Sequence, residues 1–350
     1  MRLLILTQAV DRDDPALGFF HTWIEEFSTH AEQVIVVCLR EGEHSLPSNV
    51  RVLSLGKEKK PSRLRYLFLF YQYIWSYRRE YDGVFVHMNP EYAILGGPLW
   101  WLLGKRIALW YVHKAVNFRL RLAEKCAHQI FTASRESFRL PSKKVEIVGH
   151  GIPVDAFPLC TPHALSLQRL RMLLVGRITP TKDVETAIMA AHALKQRFAG
   201  ADISLDIVGD TVREEDLAYQ ETLKELVAQL QMNVHVHFLG KRTYREMGDI
   251  YRSHDLLIHT SRTGSTDKAA LEALAAGMVL ISSSDAFAGE AAKGLVWTFP
   301  PNDYQALAES VEAICARGIL IPRQEGRAYV AEHHALSQLI PRIVSEFETP

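Results

Sequence analysis

Residues 255–277 read DLLIHTSRTGSTDKAALEALAAG: an apolar run of strand length, a loop of small hydroxylated residues with a charged pair, then an alanine- and leucine-rich helix carrying one glutamate, Glu272. A run that is apolar on both faces fits a strand covered by helices on each side, as in a parallel sheet. The Gly/Ser/Thr loop leads into a helix N-terminus, where free backbone N–H groups and the positive end of the helix dipole suit an anion. This strand–loop–helix unit predicts an α/β domain and a phosphorylated ligand together.

The same pattern extends in both directions. In the first half, LLILT, QVIVVCL, GVFVHM, RIALWYV, QIFTAS and VEIVGH are separated mostly by helical patterns such as FFHTWIEEFSTH. The periodicity lapses in PVDAFPLCTPHALSLQ, residues 153–168, which holds three prolines. It restarts with RMLLVG, ISLDIVG, VHVHFLG, DLLIHT, MVLISS and LVWTFP, alternating with helices that include residues 184–198 and 215–231. Two doubly wound α/β domains are expected, residues 1–160 and 161–330, followed by a helix at 331–350 that packs back on the first. Two such domains facing each other across a central cleft place ligands where strand C-termini meet helix N-termini.

Composition agrees and narrows the function. The 350 residues are 48% hydrophobic, enough for two cores. Lys plus Arg equals Asp plus Glu at 40 each, so no global field recruits nucleic acid. Residues 1–160 hold 21 basic and 16 acidic residues against 19 and 24 in the remainder, making the N-terminal half the basic one. Cys38, Cys126, Cys160 and Cys315 lack metal-ligand or CxxC spacing and read as reduced thiols of a cytoplasmic protein. MRLLILTQ reads as a first strand, not a leader. YLFLFYQYIWSY (66–77) is too short to span a bilayer, and AILGGPLWWLLGKRIALWYV (93–112) is interrupted by Gly96, Gly97 and Pro98 and charged at Lys105 and Arg106.

The strand exits hold the candidate chemistry. LLVGRITPTKDVETAIMAA presents Arg177 and Lys182 ahead of a helix, two cations suited to a diphosphate. LDIVGD offers Gly209 and Asp210, a common turn pairing. Glu272, a turn and a half into its helix, can accept two hydrogen bonds from vicinal ribose hydroxyls. ISSSDAF offers hydroxyls from Ser282 to Ser284. In the first half Gly18 lies in the first strand-to-helix loop, where backbone could approach a ligand. His113 and Lys114 end the strand RIALWYV, with His87 and His150 as rivals for a histidine role.

The order VGR…K, IVGD, VHFLG, IYRSHDLLIHTS and LEALAAG resembles the C-terminal domain of family 4 glycosyltransferases, which have the GT-B fold of two Rossmann-like domains. LGFFHTWIEEF after the first strand and VGHGIPVDAFP before the linker agree, so the resemblance covers nearly the whole chain. It implies transfer of a hexose-type sugar from a nucleotide-sugar donor to an acceptor hydroxyl with retention of configuration and with no metal or other cofactor. It also implies that Arg177 and Lys182 hold the donor diphosphate, that Glu272 binds the ribose, that Gly18 approaches the diphosphate, and that His113 lies near the transferred sugar and acceptor.

Three departures stand out. Gly264 occupies the position eight before Glu272, where the family has a first glutamate that touches the donor sugar; Asp183 follows Lys182 where glycine is common; His150 precedes Gly151 where asparagine is common. The loop Gly264, Ser265, Thr266, Asp267 is expected to supply N–H groups, hydroxyls and a carboxylate in place of that glutamate, with Lys268 adding charge near the phosphates. The basic, aromatic segment 57–79 suggests peripheral contact with an anionic membrane, which suits a lipid-linked or glycan acceptor in cell-envelope polysaccharide or glycolipid biosynthesis. Two other readings stay open: a nucleotide-sugar epimerase on the same scaffold, and a non-catalytic sugar-nucleotide binding subunit.

Overall fold

A computed structural model describes residues 1–59, 62–211, 213–262, 264 and 266–348. The chain divides into two compact units, the first built from Met1–Pro153, Thr243–Arg245 and the segment from His333, the second from Val154–Arg242 and Glu246–Glu332.

In the first unit, β1 (Arg2–Val10), β2 (Gln33–Glu41), β3 (Val50–Ser54), β4 (Gly83–His87), β5 (Arg106–Trp110), β6 (Gln129–Thr132) and β7 (Val145–Ile147) form one parallel sheet in the order β3-β2-β1-β4-β5-β6-β7. Alternate residues of each strand enter opposite cores. Leu3, Ile5, Val34, Val36 and Phe85 meet α1 (Phe19–His30) and the C-terminal helix Leu336–Glu348. Leu4, Leu6, Ile35, Val37, Val84 and Val86 meet α2 (Arg63–Ser76), α3 (Pro90–Leu102) and α4 (Phe118–Cys126). Apolar matter on both faces is why these strands read as continuous hydrophobic runs. The edge strand β3 is only partly buried and carries no such run, so sequence periodicity passes over it.

The second unit repeats the plan. Here β9 (Arg169–Val175), β10 (Asp202–Val208), β11 (Val236–Gly240), β12 (Leu256–His259), β13 (Val279–Ser282) and β14 (Trp297–Thr298) lie parallel in the order β11-β10-β9-β12-β13-β14. A two-residue strand β8 (His163–Ala164) pairs antiparallel with β15 (Leu320–Ile321). The helices are α5 (Val184–Arg197), α6 (Leu217–Gln229), α7 (Met247–Arg252), α8 (Lys268–Ala275), α9 (Ala288–Ala292), α10 (Tyr304–Ala316) and α11 (Gln324–His333), with α12 the Leu336–Glu348 helix of the first unit.

Unit boundaries differ from the sequence expectation in detail. The second unit begins at Val154 because the linker packs there: the Cys160 N–H donates to the Ala276 carbonyl (2.9 Å), and the Phe157 ring meets Tyr251 edge-on at 5.6 Å. The C-terminal stretch is two helices, of which α12 lies on α1. No helix among the described residues is long and apolar enough to cross a membrane; residues 93–112 divide between α3 and β5.

A half-buried carboxylate ties three segments of the second unit. Asp206 on β10 accepts from His237 Nδ1 on β11 (2.8 Å) and from His254 Nε2 (3.1 Å). Burial alone would raise its pKa, but the His254 and His237 hydrogen bonds outweigh it and hold the carboxyl below the usual range. Its stabilising effect is therefore present above the unfolded value of about 3.9 and is lost as pH falls through the lower folded value. In thermal melts, wild type is expected to exceed Asp206→Asn at neutral pH, with the gap closing in acid; a pH-independent gap would refute the assignment.

Candidate active site

The strand order of the second unit reverses between β9 and β12, the point at which the loops leaving adjacent strands diverge and open a ligand crevice in a doubly wound sheet. The loop after β9 carries Arg177 and Lys182, and the loop after β12 carries residues 260–267 and leads into α8. Gly209 and Asp210 follow β10, next to β9.

Backbone and side chains stitch the two switch-point loops together. Thr260 Oγ1 donates to the Lys182 carbonyl (2.5 Å), and the Arg262 N–H donates to the Thr181 carbonyl (2.9 Å). The Arg262 guanidinium pairs with Asp183 Oδ1 at 2.8 Å. Asp183 itself has φ +49, the left-handed region that favours glycine. Aspartate is among the few other residues that tolerate it, and here Thr186 Oγ1 also donates to its carboxylate (2.9 Å). The departure at Asp183 thus keeps the backbone shape that glycine would supply and adds an ion pair across the loops.

Lys182 is not free in this state. Its ammonium donates to Asp267 Oδ2 and, at 3.2 Å, to Ser261 Oγ. The same Asp267 oxygen faces His259 Nε2 at 2.9 Å. The Ser284 N–H donates to Ser282 Oγ (3.1 Å), and Ser282 lies 2.8 Å from His259 Nδ1. With the Ser282 hydroxyl proton directed to Nδ1, Nε2 carries the ring proton and donates to Asp267. Burial would raise the Asp267 pKa, but the His259 hydrogen bond and the Lys182 charge hold it well below the usual carboxylate range. Asp267 precedes α8 at the N-cap position yet makes no side-chain capping bond to the helix. Its carboxylate is instead committed to His259 and Lys182.

The remaining expected residues separate by role. Arg177 is exposed, and its side chain has no hydrogen bond or ion pair among the described residues. Glu272 is 5% exposed and accepts from the Tyr251 hydroxyl at 2.9 Å. Lys268 lies one turn before it, and burial lowers its pKa against the opposing pull of the Glu272 carboxylate. The expectation that Lys268 adds charge near phosphates therefore competes with a local role beside Glu272. Gly264 has φ +58 and Thr266 is half-buried, whereas Ser265 lies outside the described residues. Gly209 has φ +132, and a Cβ there would meet the Gly176 carbonyl oxygen at 1.9 Å, so glycine is required where the ends of β9 and β10 touch. Asp210 accepts from its neighbour's N–H at Thr211 (2.8 Å) and from Gln220 Nε2 (3.2 Å), which makes it a loop brace.

Gly18 and His113 belong to the first unit. Gly18 has ordinary helical angles, but a Cβ would fall 2.5 Å from the Asp14 carbonyl oxygen and 2.9 Å from that of Arg12. Close packing of its own loop by itself demands glycine here. His113 is exposed, and its Nδ1 accepts from the Ala115 N–H (3.0 Å), leaving Nε2 as the outward donor. His87 is buried and stacked on Phe20 at 3.8 Å, and His150 is buried too.

Residues 162–328, just under half of the chain, match the family model of glycosyl transferases group 1. Mannosylfructose-phosphate synthase of Agrobacterium fabrum is 30% identical over 106 residues, 30% of this chain and 23% of that protein. The amylovoran biosynthesis glycosyltransferase AmsK of Erwinia amylovora is 29% identical over 213 residues, 57% of this chain and 50% of that one. The chain thus spans half or less of the length of these curated relatives. Among solved structures, Anabaena HepE in complex with UDP superposes with a TM-score of 0.74 at 15% identity, over 99% of this chain and 100% of that one. The fold is GT-B, and the group 1 match together with these neighbours supports a glycosyltransferase.

Proposed function

We propose that the chain is a retaining glycosyltransferase that moves a hexose-type sugar from a nucleotide-sugar donor to a hydroxyl of a glycan or lipid-linked saccharide, in cytoplasmic assembly of envelope polysaccharide or glycolipid. The observation that carries this reading is the pair of cations, Arg177 and Lys182, at the switch point of the second sheet beside the start of α8. The HepE structures hold UDP, and UDP with glucose, and AmsK is named for a polysaccharide pathway; both favour the reading.

In it, the donor diphosphate lies between Arg177 and Lys182, with Lys182 exchanging or sharing Asp267 for a phosphate oxygen. The charge that develops on the leaving diphosphate is met by these cations and by the helix end, so the reaction needs no metal. Glu272, a carboxylate that can accept several hydrogen bonds, takes the ribose hydroxyls. Gly264 and Thr266 line the donor with backbone and hydroxyl groups, and His113 serves the acceptor through Nε2. The acceptor oxygen bonds to the anomeric carbon on the face from which the phosphate departs, and the hydroxyl proton passes to the leaving phosphate oxygen. No protein nucleophile is required.

Thermal-shift titration against UDP-, GDP-, ADP- and TDP-sugars tests this. A donor at a hundred times its Kd stabilises the native state by about 2.7 kcal/mol, several degrees for a domain of this size. One nucleotide class is expected to raise Tm, with the shift lost in Arg177→Ala and Glu272→Ala. No shift with any donor would overturn the reading, and a shift without transfer or hydrolysis would favour a non-catalytic binding subunit.

A further inference from the structure

The outer face of α2 is apolar where a surface helix is ordinarily polar. Leu64, Phe68, Tyr71 and Trp75, spaced by four, three and four residues, form one stripe and are 78%, 67%, 39% and 50% exposed. The opposite face is already committed to the core through Phe70 and Ile74, and within the stripe the Tyr71 hydroxyl donates to the Leu95 carbonyl (2.9 Å), so folding of the unit accounts for Tyr71 but not for the exposure of Leu64, Phe68 and Trp75. With Leu67 and with Leu99 of α3 it lines an open groove of about 700 Å³. Contiguous apolar surface of this kind marks an interaction site.

The charges around it select the occupant. Between residues 57 and 79 the chain carries seven Lys and Arg and one acid, Glu58. Lys57, Lys59, Arg63 and Arg65 precede the stripe or lie in its first turn, and Arg79 follows it; all five are exposed and, among the described residues, none is in an ion pair. Arg78 lies 4.2 Å over the Trp75 ring and donates to the Trp75 carbonyl (2.8 Å). A second copy of the chain docking through this stripe would set these cations against one another. An anionic bilayer answers both features at once, since apolar and aromatic side chains enter the acyl boundary while Lys and Arg remain among the headgroup phosphates.

We infer that α2 is a membrane-docking helix that lies in the headgroup layer of a bilayer containing anionic lipid, its Leu64–Phe68–Tyr71–Trp75 stripe toward the acyl chains. Every residue of this surface belongs to the first unit, and none of them is among the residues assigned to the donor or to the acceptor. Flotation of the purified chain with vesicles of phosphatidylcholine, alone or mixed with phosphatidylglycerol, reads it directly. The protein is expected to float with the anionic vesicles and to be released by salt. Each basic residue at such a surface is worth about fivefold in partitioning, so Arg63→Glu with Arg65→Glu should weaken binding at least 25-fold by that estimate. Phe68→Ser with Trp75→Ser should weaken it comparably. All four side chains are exposed, so both variants should melt with wild type. Failure to float with anionic vesicles, flotation indifferent to both variants, or a concentration-dependent dimer abolished by them without vesicle binding would each overturn the inference.

Discussion

Lys182→Ala is expected to lower kcat/KM for the nucleotide-sugar donor by about a hundredfold or more, and to weaken binding of the nucleoside diphosphate alone. A group aimed at charge that develops on a leaving oxygen contributes about 3 kcal/mol or more in a water-poor site, and a charge-assisted contact to phosphate about 1.5 to 3 kcal/mol in the ground state. The complication is that Lys182 also ties the loop after β9 to the loop after β12 through Asp267. Asp267→Asn separates the two roles. It weakens the same tie but leaves the ammonium, and with the competing carboxylate gone the diphosphate should bind as well as in wild type or more tightly. If both variants lose diphosphate affinity equally, the pair is only a structural clasp and Lys182 is not a phosphate ligand. Using the diphosphate without sugar keeps the answer independent of any contact between Asp267 and the transferred hexose.

Parts of this site were legible in the sequence because its logic is local. A buried strand reads as an apolar run, and the residues at its exit follow from counting, which placed Arg177 and Lys182 after β9 and Glu272 inside α8. What counting does not reveal is which exits meet. Asp267 and Lys182 are 85 positions apart and bond only because the strand order brings β9 beside β12. His259 was visible as a polar residue ending an apolar strand, a signal of burial with a partner, but its partners Ser282 and Asp267 depend on the pairing of β12 with β13 and on the path of the next loop. Gly18 shows the opposite case, a local signal with a plain packing cause. Asp183 looked like a departure from a glycine position, yet its positive φ preserves the backbone that glycine would give.

The same crowding that hides Glu272 sets the second large effect. Glu272→Ala is expected to destabilise the ligand-free protein by about 3 kcal/mol, a Tm loss of roughly 6–12 °C. Tyr251, whose ring is fully buried, loses the acceptor of its hydroxyl, a cost of about 1 to 3 kcal/mol. Lys268 loses the carboxylate that opposes its desolvation. Because burial sets the folded pKa of Lys268 below the ordinary lysine value of about 10.4, the wild-type protein gains stability as pH rises between the two. Removing Glu272 lowers the folded value further. The Tm gap between wild type and Glu272→Ala should therefore widen as pH falls through the wild-type value of Lys268 and narrow in alkali. Glu272→Gln restores an acceptor for Tyr251 without the charge, so it should recover the pH-independent part of the loss and keep the pH-dependent part. A gap that stays constant with pH in both variants would show that the carboxylate at 272 serves Tyr251 and the ligand alone, with Lys268 held by other means.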